Sequence, residues 1–150
     1  MMKMKYSIAF MVIGSFVIQY FVMSLLMTSK LQDIRNSLSK FYISAIMGLL
    51  MGILEVFMHD LSMMKISIKY YIPLIVLLII FVVAYRVQFY ILDKDYLREM
   101  IEHHSMAIFT STEILNKTHN YEVTKLAKNI IETQNEEIKT MNDLLLSNKV

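Results

Sequence analysis

Long apolar stretches and short polar ones alternate through the first ninety or so residues, and the pattern then changes character. Three apolar runs come first: Tyr6 to Met27 without a charge, Phe41 to Met58 with only Glu55, and Tyr70 to Leu92 interrupted only by Arg86. Each is close to the ~20 residues that cross ~30 Å of hydrocarbon. The first is longer than the apolar core of a signal peptide and ends without a small-residue cleavage site, so it reads as a retained span. Tyr6, Tyr20, Tyr42, Tyr70, Tyr71 and Tyr90 sit near the ends of the runs, where their amphipathic rings suit the headgroup region. Pro73 falls in the first turn of the third run, where a missing N–H costs little.

From residue 93 the period is that of amphipathic helices. Asp93 or Asp95 can cap a first helix running to about Leu115 or Asn116. Asn116 to Asn120 is a polar turn. A second helix follows from Tyr121 to Leu146, with apolar positions at Val123, Leu126, Ala127, Ile130, Ile131, Ile138, Met141 and Leu145. Two helices joined by a short loop form an antiparallel hairpin. The expected fold is all-α, with a membrane domain over residues 1–92 (spans about 6–27, 41–58 and 70–92) and a hairpin over 93–150. Two helices bury little apolar surface alone. The hairpin is therefore expected to pair with a second copy as a four-helix bundle, or to dock on the spans.

Charge follows the same division. Residues 1–92 carry eight Lys/Arg and three Asp/Glu, and residues 93–150 carry seven and ten. A mildly acidic tail lacks the basic face that nucleic acid requires. Lys3, Lys5, Lys65 and Lys69 lie on one expected side of the membrane, and Lys30, Arg35, Lys40, Lys94 and Arg98 on the other, so the positive-inside rule gives no orientation. An odd number of spans places the N-terminus and the tail on opposite sides. Cysteine is absent, which removes disulfides, thiolate metal sites and cysteine nucleophiles. Three glycines in the whole chain leave no P-loop or dinucleotide fingerprint. No nucleophile–base constellation appears, so the chain does not read as an enzyme.

Methionine is abundant, with 14 residues. It fills apolar gaps as well as leucine does, and its thioether also favours Cu(I). In the second span Met47, Met51, Glu55 and Met58 or His59 follow one another at helical spacing and form one stripe. Such a stripe can carry a soft cation, or it can be lipid-facing filler with Glu55 reaching the headgroups. Gly48 and Gly52 form a GxxxG pattern, extended backwards by Ser44, which permits close helix contact. Arg86, near the far end of the third span, is expected to snorkel.

The tail carries the sharper pattern, Met100-Ile-Glu-His103-His104-Ser-Met106. On a helix His104 lies one turn beyond Met100, and His103 neighbours both Met100 and Met106. On the second helix Gln134, Glu137 and Met141 share a face, and an antiparallel fold brings Met141 beside Met100 and His104. Imidazole with thioether suits copper. The plainer reading is that adjacent histidines cannot both point one way, so one packs and the other is solvated.

The tail also resembles domain-of-unknown-function family 305, the CopM-like copper-binding proteins. The shared pattern runs through Asp93, Tyr96, Leu97, Met100, Ile101, His103, His104, Ala107 and Ile108. It continues through Ala127, Ile130, Ile131, Gln134, Glu137, Ile138 and Met141. The resemblance implies a ferritin-like helical fold and binding of copper, or silver, with Met100, His103, His104 and Met141 as the ligand candidates. Gln134, Glu137 and Met106 are expected around them. This chain departs from the family at Glu102, where proline is frequent, and in lacking a methionine after Ala107-Ile108 and a tryptophan after Met141. One motif per chain points to a homo-oligomer.

The function expected from these readings is a membrane-anchored Cu(I)-binding protein of storage, delivery or tolerance. Its partners are the lipid bilayer and the metal, with no nucleic acid. The alternative is a structural membrane protein whose tail mediates oligomerisation or partner binding. A di-iron ferritin-like enzyme comes third, because no histidine has glutamate three residues before it.

Overall fold

The computed structural model describes residues 3–147. The fold is all-helical, with five helices: α1 (Met4–Met27), α2 (Leu38–Met63), α3 (Ile68–Arg86), α4 (Asp93–Leu115) and α5 (Tyr121–Leu146). A 3-10 turn, Leu31–Asp33, lies in the α1–α2 linker. The chain forms two compact units. The first holds the residues up to Val22 together with Ser39–Tyr90, and the second holds Met23–Leu38 together with the chain from Ile91 onward.

In the first unit, α1 to α3 are each long and apolar enough to cross a membrane. Ile8, Leu49, Val56 and Leu74 form its buried core, with Met4, Val12, Ile53 and Phe81 packed around them. Phe10, Ile13, Ile79 and Ile80 point outward and stay more than half exposed. A belt of that kind is unfavourable in water and natural in lipid. Within α1 the turn Ile18–Val22 is π-helical. The small-residue pattern of α2 has a partner inside the chain. A Cβ built on Gly48 would lie 2.7 Å from the Val12 carbonyl oxygen, and one on Gly52 would lie 2.6 Å from Val12 Cγ2. Glycine here lets α1 approach the α2 backbone.

Several helix ends differ from the sequence expectation. The second helix continues past Met58 to Met63, because Asp60 ties its end to the next turn: Asp60 accepts from Ser67 N and Ser67 Oγ, both at 2.7 Å. The third begins at Ile68, so Pro73 lies inside the helix rather than in its first turn. It also stops at Arg86 instead of Leu92. Gln88, at φ 53°, takes the left-handed position, while Gln88 N donates to Tyr85 O at 3.2 Å and Phe89 N donates to Ala84 O at 2.9 Å. This pair of bonds is the Schellman arrangement that satisfies the last carbonyls. Arg86, in the last turn, is exposed.

In the second unit, α4 and α5 form the expected antiparallel hairpin. Leu97, Ile101 and Met141 make its buried cluster, with Met100, Ile138 and Leu145 packed against it. Asn120 caps α5, its Oδ1 accepting from Glu122 N at 2.9 Å and Val123 N at 3.2 Å. Val123 and Leu126, expected on the apolar stripe, face outward, and the buried stripe begins at Ala127. Neither aspartate caps α4, whose N-cap is Leu92. Asp95 Oδ1 instead accepts from Leu38 N at 3.3 Å, at the first residue of α2. Residues 23–38, expected to be part of the membrane domain, thus belong to the hairpin's unit.

Candidate metal site on the helical hairpin

The hairpin register decides which candidate ligands meet. The start of α4 lies beside the end of α5, so Met100 and the buried Met141 share one cluster. His104 follows Met100 by one turn. Its Nδ1 lies 2.7 Å from the Met100 carbonyl oxygen. A carbonyl only accepts, so Nδ1 carries the proton in that bond and Nε2 is the ring atom left for a partner. Nε2 lies 2.8 Å from Glu137 Oε2 on the facing helix. Gln134 Nε2 donates to the same carboxylate oxygen at 3.2 Å.

His103 does not join this group. It precedes His104 by one residue, is rotated away from it about the helix axis, and is exposed. Met106 is half-buried one turn further on. Among the described residues, no three His, Asp or Glu side chains come together as a metal site. The structure thus packs Met100 with Met141 and sets the His104 ring, one turn on, between the Met100 carbonyl and the Glu137 carboxylate. Thioether with imidazole fits a soft ion better than a hard one.

A second polar cluster lies on the other face of α4, and sequence reasoning missed it. Glu102 is buried and accepts from Ser24 Oγ and, at 3.0 Å, from Arg35 N. Ser105, also buried, donates to the buried Asp33 Oδ2 at 2.8 Å, and its Oγ accepts from Ser29 N at 3.1 Å. Arg35 Nη2 donates to Asn142 Oδ1 at 2.7 Å, which ties the linker to α5 as well. The signal available was Glu102 itself, a carboxylate on an inward helix position where the family often has proline.

The stripe expected in α2 is only partly inward. Met47 is exposed, whereas Met51, Glu55 and His59 are half-buried. Glu55 accepts a hydrogen bond from Ser7 Oγ of α1. This answers a carboxylate in an apolar helix with a hydroxyl from the neighbouring one. His59 Nδ1 lies 3.8 Å from Asp60 Oδ1.

Residues 86–145, spanning both hairpin helices, match the model of the Domain of unknown function DUF305. The whole chain is 40% identical over 148 residues to "Uncharacterized protein L153" of Acanthamoeba polyphaga mimivirus, which covers 95% of this chain and 96% of that protein. Residues 86–145 form a DUF305 domain, and the chain as a whole belongs to the family of the viral protein. The alignment with the viral protein extends beyond the DUF305 segment, across the three apolar helices as well. No solved structure matches the chain.

Proposed function

We propose that this DUF305 protein is a membrane-anchored copper-binding protein that holds Cu(I) for storage, delivery or tolerance. The observation that supports the reading is that Met100 packs with Met141 at one end of the hairpin, with His104 one helical turn from Met100. Thioether sulfur selects Cu(I), and His104, its Nδ1 held by a backbone carbonyl, offers Nε2 as a ligand once the ion displaces the proton that Nε2 shares with Glu137. Glu137 stands where it can take up the charge beside that nitrogen. His103, turned outward, is a ligand for a second ion or a second copy of the chain.

The three apolar helices anchor the hairpin to a bilayer, with the N-terminus on the opposite side. The hydrogen bonds between the α1–α2 linker and α4 support this arrangement. The segments that follow the first and third crossings of a membrane emerge on the same side.

The test is competition for Cu(I) between the purified full-length protein and a chromogenic chelator under reducing conditions. Stoichiometric binding, lost in His104→Ala and in Met100→Leu/Met141→Leu and kept in His103→Ala, is the expected result. Absence of binding in the wild-type protein would sink the reading. It would leave the structural alternative, in which His104 and Glu137 serve to clasp the hairpin.

A further inference from the structure

A cleft of about 600 Å³ opens on the second unit between the α1–α2 linker, the start of α4 and the end of α5. Its polar lining is Gln32, Asp33, Arg35, Lys94, Arg98 and Asn142, three cations against one carboxylate. The carboxylate is committed elsewhere: Asp33 is buried and bonded to Ser105. Arg35 is fixed in place, its backbone N–H held by Glu102 and its guanidinium by Asn142. Lys94 and Arg98 stand one turn apart on the same face of α4, both exposed. Among the described residues no hydrogen bond or ion pair engages either side chain. Asp95, beside them in sequence, is turned to Leu38 N. Asp93, Glu99 and Asp143 flank these helices without lining the cleft. Three basic groups thus line one cleft of a unit whose overall balance is acidic.

Like charges one turn apart, as on Lys94 and Arg98, repel one another, and an anion bound between them relieves that repulsion. The cleft is large enough for a small ligand, and guanidinium with ammonium is the donor set that recognises phosphate. It is also flanked by Leu145 and by Leu146, which is 81% exposed. Gln32, Asp33, Arg35, Lys94 and Arg98 lie in the stretches of chain that follow α1 and α3, helices able to cross a membrane. A charged pocket with an apolar flank, lined in part by residues that follow two such helices in sequence, matches a lipid headgroup with its glycerol and chain ends.

We propose that this cleft binds a phosphate group, presented by an anionic lipid. The site is independent of the copper reading, because neither Met100, His104 nor Met141 lines it.

The experiment uses the full-length protein in nanodiscs of phosphatidylcholine mixed with phosphatidylglycerol, with lipid retention read by native mass spectrometry. Retained phosphatidylglycerol in preference to phosphatidylcholine is expected, falling about tenfold or more in Lys94→Gln/Arg98→Gln. Lys117→Gln/Lys125→Gln, at the loop end of the hairpin, removes the same charge away from the cleft and should leave retention unchanged. Equal loss in both variants would reduce the effect to bulk charge and overturn the site. Calorimetric titration of inorganic phosphate into the protein in phosphatidylcholine alone separates the sources. Binding there that is lost in Lys94→Gln/Arg98→Gln, without lipid preference, keeps the phosphate site and overturns its assignment to lipid. No preference and no phosphate binding overturns the proposal whole.

Discussion

His104 and Glu137 face each other across the hairpin, with Nε2 2.8 Å from Oε2. The carboxylate is about half exposed, at 48%, whereas the imidazole is largely covered, at 13%. Water therefore screens the pair from one side, and its worth to the fold is that of a surface ion pair. Glu137→Ala should lower hairpin stability by less than ~1 kcal/mol, seen as a small shift in thermal unfolding in detergent. It should also keep Cu(I) binding, since the imidazole and both thioethers remain. Loss of binding with an intact fold would make Glu137 a ligand in its own right.

Ile101 is fully buried at the centre of the hairpin, against Leu97 and Met141. Ile101→Ala removes packed atoms from a site with little freedom to collapse and should cost about 2–5 kcal/mol. Leu126→Ala, at a position 60% exposed, is the matching control and should change little. Urea unfolding followed by circular dichroism separates the two.

The α1–α2 contact depends on the absence of a side chain at Gly48, where a Cβ would sit 2.7 Å from the Val12 carbonyl oxygen. Gly48→Leu should force the helices apart at a cost of about 1–3 kcal/mol. Gly14→Ala meets nothing within 4 Å and should be neutral or stabilising by up to ~1 kcal/mol through helix propensity. Cysteine cross-linking between α1 and α2 should weaken in the first variant and persist in the second.

Ser7 is the hydrogen-bond donor to Glu55 in the apolar unit. Ser7→Ala leaves that carboxylate short of a partner and should destabilise by about 1–3 kcal/mol. Adding Glu55→Leu should restore most of the loss, because replacing both polar groups removes the unmet need. If the double variant were as unstable as Ser7→Ala, the bond would not be what holds Glu55.

Cleanly periodic segments were legible in the chain alone. The buried face of α5 is legible in Ile130, Ile131, Ile138 and Met141 at helical spacing, and an antiparallel register by itself sets Met141 beside Met100. Boundaries were read less well. Apolarity continues through Val87 to Leu92, but the helix ends at Arg86 because Gln88 adopts a left-handed backbone that hydropathy does not encode. Val123 and Leu126 are apolar at near-helical spacing and still face outward, since a stripe on one helix says nothing of where its partner stops.

The sequence by itself determined the all-helical class, the three apolar helices, the hairpin and the histidine–methionine pattern. Each of these depends on residues a few positions apart, where periodicity and local hydrogen bonding govern the outcome. Tertiary structure alone decided that the segment Met23–Leu38, the end of α1 with the linker after it, belongs with the hairpin, because Ser24, Ser29, Asp33 and Arg35 answer polar groups on α4 some seventy residues away. It also decided that His104 turns toward Met100 and Glu137 while His103 turns to solvent. The sequence writes the two imidazoles as equals. The packing of α5 against one side of α4 makes them different, since only one of two adjacent side chains on a helix can face a given neighbour.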